Sequence, residues 1–84
     1  MSYKVLFRGR AAKQISSLPP HYFRLVSQHI DRLAQNPHPP GVKRLKGDVG
    51  YSLRVGPYRI LYDVDDKARE LIIYRVKHRR DVYR

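Results

Sequence analysis

Residues 51–64, YSLRVGPYRILYDV, narrow the folding options of this chain more than any other stretch. Two segments of mostly alternating apolar and polar side chains flank Gly56-Pro57. A period of two marks a half-buried strand. Glycine first in a two-residue loop suits a type II′ hairpin turn, and proline can hold the second position. The turn dictates the register: Val55 faces Tyr58, Arg54 faces Arg59, Leu53 faces Ile60 and Tyr51 faces Tyr62. Successive side chains point to opposite sides of a sheet. Tyr51, Leu53, Val55, Tyr58, Ile60 and Tyr62 therefore share one face, the one expected to lie under helices. Arg54 and Arg59 share the other.

The rest of the chain supplies what such a hairpin needs. Residues 3–7, YKVLF, read as a first strand. Residues 9–17 read as a short helix stopped by Leu18-Pro19-Pro20. Pro20 pre-sets the first turn of a second helix, whose apolar stripe is Tyr22, Phe23, Val26, Ile30, Leu33 and Ala34. The run from Asn36 to Gly41, with three prolines, ends it. Val42–Leu45 reads as a short edge strand and Lys46-Gly47-Asp48 as a turn. Asp65-Asp66-Lys67 turns the return strand into a last strand over 69–76, and Lys77–Arg84 reads as an irregular basic tail. The order is β-α-α-β-β-β. It predicts an α+β fold in which two N-terminal helices cover one face of an antiparallel β-sheet. At 84 residues the chain fits a single domain, 1–84.

Composition removes several functions. There is no cysteine, so disulfides, thiolate metal sites and cysteine nucleophiles are excluded. His21, His29, His38 and His78 are scattered without metal-ligand spacing, so neither a metal nor a small-molecule cofactor is expected. No apolar run is long enough to span a membrane, and the N-terminus lacks the apolar core of a signal peptide. A cytoplasmic domain is expected. Eighteen Lys and Arg against seven Asp and Glu leave a formal charge of +11, and the first thirty residues carry no acid. Such a field attracts polyanions, nucleic acid foremost; the alternative is a merely solubilising surface.

The Arg54–Arg59 pair gives that charge a focus. Like charges directly opposite each other destabilise a strand pair. Either the two side chains splay into solvent, or an anion sits between them. Arg75 joins the same face if the 65–69 turn sets it near Arg59. Lys77, His78, Arg79, Arg80 and Tyr83 follow closely enough to fold back beside it, and Arg44 and Lys46 form a phosphate-attracting rim. Arginine is planar, always charged and grips phosphate in bidentate fashion. Several arginines around one phosphate would stabilise the extra charge of a pentacovalent transition state. RNA brings its own nucleophile, the 2′-OH. The protein then needs a base for that proton and an acid for the leaving 5′-oxygen. His78 titrates in the right range for either role, or is a surface histidine among cations. Tyr83 serves if nearby arginines lower its pKa, or simply anchors the tail.

The runs 45–66, LKGDVGYSLRVGPYRILYDVDD, and 72–83, IIYRVKHRRDVY, resemble the RelE/ParE superfamily of toxin–antitoxin toxins, the RelE-like branch most closely. The resemblance implies a small basic toxin that enters the A site of the 70S ribosome and cleaves mRNA there, and an acidic cognate antitoxin that wraps it. It assigns catalysis to Arg54, Arg59, Arg79 and Tyr83, with His78 where the best-known branch has a lysine. RNA contacts fall to Arg44, Lys46, Arg75, Lys77 and Arg80. That branch carries two lysines, two residues apart, before the hairpin; here those positions are Ser52 and Arg54. A ParE-like inhibitor of DNA gyrase and a non-catalytic RNA-binding member of the same fold are the competing readings.

Overall fold

Local signals start and stop each element, and the hairpin arranges them. The computed structural model describes residues 2–45 and 50–80. The elements are β1 (Lys4–Phe7), α1 (Ala11–Ser16), α2 (Pro20–Gln35), β2 (Lys43–Arg44), β3 (Tyr51–Val55), β4 (Tyr58–Asp65) and β5 (Glu70–His78). The strands form one sheet in the order β1-β5-β4-β3-β2. Gly56 opens the β3–β4 turn with φ 56°, a conformation that glycine adopts without penalty. The β3–β4 register is the one the turn dictates, with Arg54 opposite Arg59.

The helices cover one face. Pro20 stands in the first turn of α2, whose buried side chains are Val26, Ile30, Leu33 and Ala34. Ala11 and Ile15 add the inner face of α1. Against them the sheet sets Val55, Ile60, Tyr62, Leu71, Ile73 and Val76. Phe23 departs from the expected stripe and is 42% exposed. It sits on the flank of the stripe in the first turn, where half-buried Tyr22 lies against Tyr58 with ring centroids 5.1 Å apart.

Tyr62 is fully buried and its hydroxyl donates to the Pro37 carbonyl at 2.8 Å. This ties the start of the proline loop to the sheet. Tyr62→Phe leaves that carbonyl without its partner and is expected to cost about 1–2 kcal/mol in urea unfolding. Burial first, then the neighbouring Tyr51, pushes the Tyr62 phenol above its ordinary value. An unfolded phenol releases its proton near pH ~10, while the folded one keeps it. Stability is thus fully present below that pH and falls as pH rises beyond it, and the Phe variant should lose this part of the alkaline slope.

Three expectations need correction. The sheet is mixed, because β1 pairs with β5 in parallel. No hairpin ties β1 to a neighbour, so no turn in the sequence sets its direction. The last strand does not end at residue 76: Lys77 pairs with Arg59 and His78 with Tyr58. β4 starts at Tyr58, so the ladder has a partner as far as His78, and what reads as a solvated charge run is strand. Finally, the edge strand is only Lys43–Arg44. The turn expected at Lys46-Gly47-Asp48 lies outside the described residues.

Candidate active site on the uncovered sheet face

One extra residue decides which side chains of β5 reach the uncovered face. Leu61 pairs with Arg75 but Tyr62 pairs with Ile73, so β5 carries a bulge at Tyr74. Before the bulge, Leu71 and Ile73 point into the core; after it, Val76 does. An unbroken period of two from Ile73 would have put Arg75 and Lys77 under the helices. The bulge reverses this and sets both on the open face, and bulges often re-aim side chains next to functional sites.

The register then builds two cross-strand rows. The first is Arg54–Arg59–Lys77. The second is Lys43–Ser52–Leu61–Arg75. A two-residue loop is closed by a hydrogen-bonded pair, here Val55–Tyr58, so Arg54 and Arg59 form a non-hydrogen-bonded pair, the closer kind, with Cα atoms about 4.5 Å apart. Lys43, Arg54 and Arg75 are exposed, and Arg59 and Lys77 are half-buried. The Arg54 Nε lies 3.5 Å from the Gly56 carbonyl. The Arg79 amide donates to the Pro57 carbonyl at 2.6 Å. The hairpin turn thus collects Arg54 from one side and the start of the tail from the other. Arg79 lies just past the end of β5, in the helical turn that follows it. Asp63, an acid on this face, accepts from the Val64 amide at 2.9 Å. It packs so closely on Gly50 that a Cβ there would come within 2.6 Å of its Oδ1.

The structure brings together Arg54, Arg59, Arg75 and Lys77, with Arg79 beside the turn. It does not bring His78 into that group. His78 shares the other side of β5 with its partner Tyr58, the rings 5.1 Å apart and nearly perpendicular. Its Nδ1 accepts the Arg80 amide at 3.1 Å, which assigns the ring proton of the neutral form to Nε2. Arg80 is exposed in the helical turn after β5. Arg44 also stands apart: paired with Tyr51, it lies over that ring, 5.9 Å from the centroid. The neighbouring Lys43, which the sequence reading did not single out, takes a place on the open face beside Ser52. A two-residue strand offers no alternation from which that choice could be made. Ser52, at the first of the two positions where the best-known branch carries lysine, is 4% exposed. Lys46 and Tyr83 lie outside the described residues.

Chemically, the open face gathers Arg54, Arg59, Arg75 and Lys77 on neighbouring strands, an arrangement that can receive an anion. Like charges directly opposite each other, as in the Arg54–Arg59 pair, cost stability while they are uncompensated.

The comparisons with known proteins agree with this fold. Residues 5–83 match the family model described as ParE toxin of type II toxin-antitoxin system, parDE. Toxin RelG of Mycobacterium tuberculosis is 36% identical over all of this chain and 99% of its own length. Putative toxin RelE1 of Methanocaldococcus jannaschii is 33% identical over all of this chain and 98% of its own. Among solved structures, the toxin–antitoxin complex RelBE2 from Mycobacterium tuberculosis superposes with a TM-score of 0.78 at 31% identity, covering 93% of this chain and 99% of the other. With its two helices, five-stranded mixed sheet and cationic open face, the chain belongs to the RelE/ParE superfamily, the toxins of type II toxin–antitoxin systems.

Proposed function

We propose that this toxin is a ribosome-dependent endoribonuclease acting in the cytoplasm, where it cleaves mRNA in the A site and halts translation. The observation that carries the reading is the row Arg54–Arg59–Lys77, with Arg75 behind it, on a sheet face that the helices leave uncovered. The resemblance to RelE-like toxins supplies the substrate.

In this reading the cradle holds the scissile phosphate. The 2′-oxygen forms a bond to phosphorus while the bond from phosphorus to the 5′-oxygen breaks, leaving a 2′,3′-cyclic phosphate and a free 5′-hydroxyl. Arg54, Arg59 and Arg79 stabilise the charge that gathers on the phosphoryl oxygens. Arg75, Lys77 and Arg80, with Arg44 and Lys46 at the rim, attract the flanking backbone. A base takes the 2′-OH proton and an acid supplies one to the leaving oxygen. Arginine stays protonated in proteins, so Arg54 does not act as the base. His78 and Tyr83 are the candidates. One of them takes the base role and the other the acid role; among the described residues His78 lies across β5 from the arginines, with the Arg80 amide on its Nδ1. The ribosome contributes by presenting the mRNA in a bent, in-line geometry that a loose cradle does not impose by itself.

An acidic antitoxin completes the system. Its charge would neutralise the +11 surface, and the RelBE2 structure is itself a toxin–antitoxin complex.

Primer extension on an mRNA in a translating extract tests this reading. Cuts that appear only on translated RNA, in register with codons, are expected. The match to the ParE model favours a second reading, inhibition of DNA gyrase. Intact mRNA at a dose that stops growth, with loss of supercoiling activity, would establish that one instead. Intact mRNA with no growth effect would leave a silent RNA-binding member, a reading that Ser52 at the usual basic position supports.

A further inference from the structure

β5 outlasts the strand beside it. β1 pairs with it only from Glu70 to Ile73, and the Arg8 amide closes that ladder on the Ile73 carbonyl at 2.9 Å. On this side the next backbone donor past the bulge is the Val76 amide. No strand is there to receive it, because the chain has already turned into α1. A side chain receives it instead: Gln14 Oε1 accepts the Val76 N–H at 2.9 Å. Gln14 sits in α1 between the buried Ala11 and Ile15, so the packing of α1 onto the sheet fixes where that oxygen lies.

Val76 is the second residue after the bulge, and its orientation decides that of its neighbours. If it points into the core, Arg75 and Lys77 face out. A slip by one residue would exchange the two sets. We propose that Gln14 is a positioning residue: its hydrogen bond to Val76 locks β5 in the bulged register that lines up Arg75 and Lys77 with Arg54 and Arg59. A side chain in the helix layer thereby aligns the cation array on the far side of the sheet. The functional half of this inference rests on the nuclease reading; the structural half does not.

The test compares Gln14→Met, close in shape but without the amide oxygen, with Gln14→Glu, which keeps an acceptor at the same reach. Gln14→Asn, which withdraws the acceptor by one methylene, replaces the Met variant if that fails to fold. Amide exchange and cross-strand NMR contacts report the register. Single-turnover cleavage on programmed ribosomes reports function. With the Met variant, Val76 exchange is expected to speed up at least about tenfold. The cleavage rate at saturating ribosomes should fall about tenfold or more, as a misaligned clamp requires. The Glu variant should recover both Val76 protection and most of the rate, which a general loss of packing would not allow. Wild-type cleavage with an unprotected Val76 amide would overturn the positioning role, as would an unchanged Val76 amide. If the wild-type protein cleaves nothing, the nuclease reading fails by itself. The inference then stands or falls on whether the Leu61–Arg75 contact is lost in the Met variant.

Discussion

Arg59→Ala is expected to abolish toxicity in cells and to lower single-turnover cleavage on ribosomes by about 10³-fold or more, the scale on which a lost transition-state donor is felt. Arg59 is central in its row, flanked by Arg54 on β3 and Lys77 on β5. Its removal takes away the one charge that both neighbours share. The fold should not suffer, because the side chain lies on the uncovered face. Removing one of two facing like charges should even raise the melting temperature slightly at low salt, and less at high salt, where the repulsion is already screened. Arg59→Lys should restore RNA binding better than it restores rate, since an ammonium keeps the charge but not the planar fork. Full toxicity of the alanine variant would remove the phosphate clamp from the account.

The largest effect on stability is expected at Ile73. It is fully buried and pairs with Phe7 on one side and Tyr62 on the other. It is also the last residue before the bulge, so the chain cannot easily relax into a cavity there. Ile73→Ala should cost about 3–4 kcal/mol. A domain of this size holds only about 4–13 kcal/mol in all. The urea midpoint should fall sharply with the slope of the transition unchanged. A shift equivalent to less than about 1 kcal/mol would mean that the β1–β5–β4 junction is not the centre of the core.

Much of this was legible before any coordinates, for a physical reason. A two-residue turn with glycine first leaves its strands one register, so the Arg54–Arg59 pairing follows from Gly56-Pro57 alone. The second helix was legible from Pro20, the spacing of Val26, Ile30, Leu33 and Ala34, and the prolines that follow. What stayed hidden depends on contacts between distant parts of the chain. The segment IIYRVKH alternates acceptably whether or not it bulges, and only the competition between its two possible core sets places the extra residue at Tyr74. Without the bulge, His78 cannot be assigned to a face. The partner of β1 was illegible because parallel pairing leaves no turn behind as a signature. The value of Gln14 was hidden for the same reason, since its partner Val76 lies at the far end of the sequence.

The sheet order has a consequence in time. β5 is the last of the strands to be synthesised, yet it lies between β1, the first, and β4. Until it emerges, β1 has no neighbour, β4 lacks one of its two, and the face that carries Arg54 and Arg59 is half built. Contacts between such remote segments form late, because the loop they close must be paid for in entropy first. A nascent copy therefore lacks the complete cation array through most of its own translation. For a toxin whose proposed target is the ribosome, this delay shields the machine that is making it and leaves an interval in which a waiting antitoxin can meet the chain before the cation array is complete.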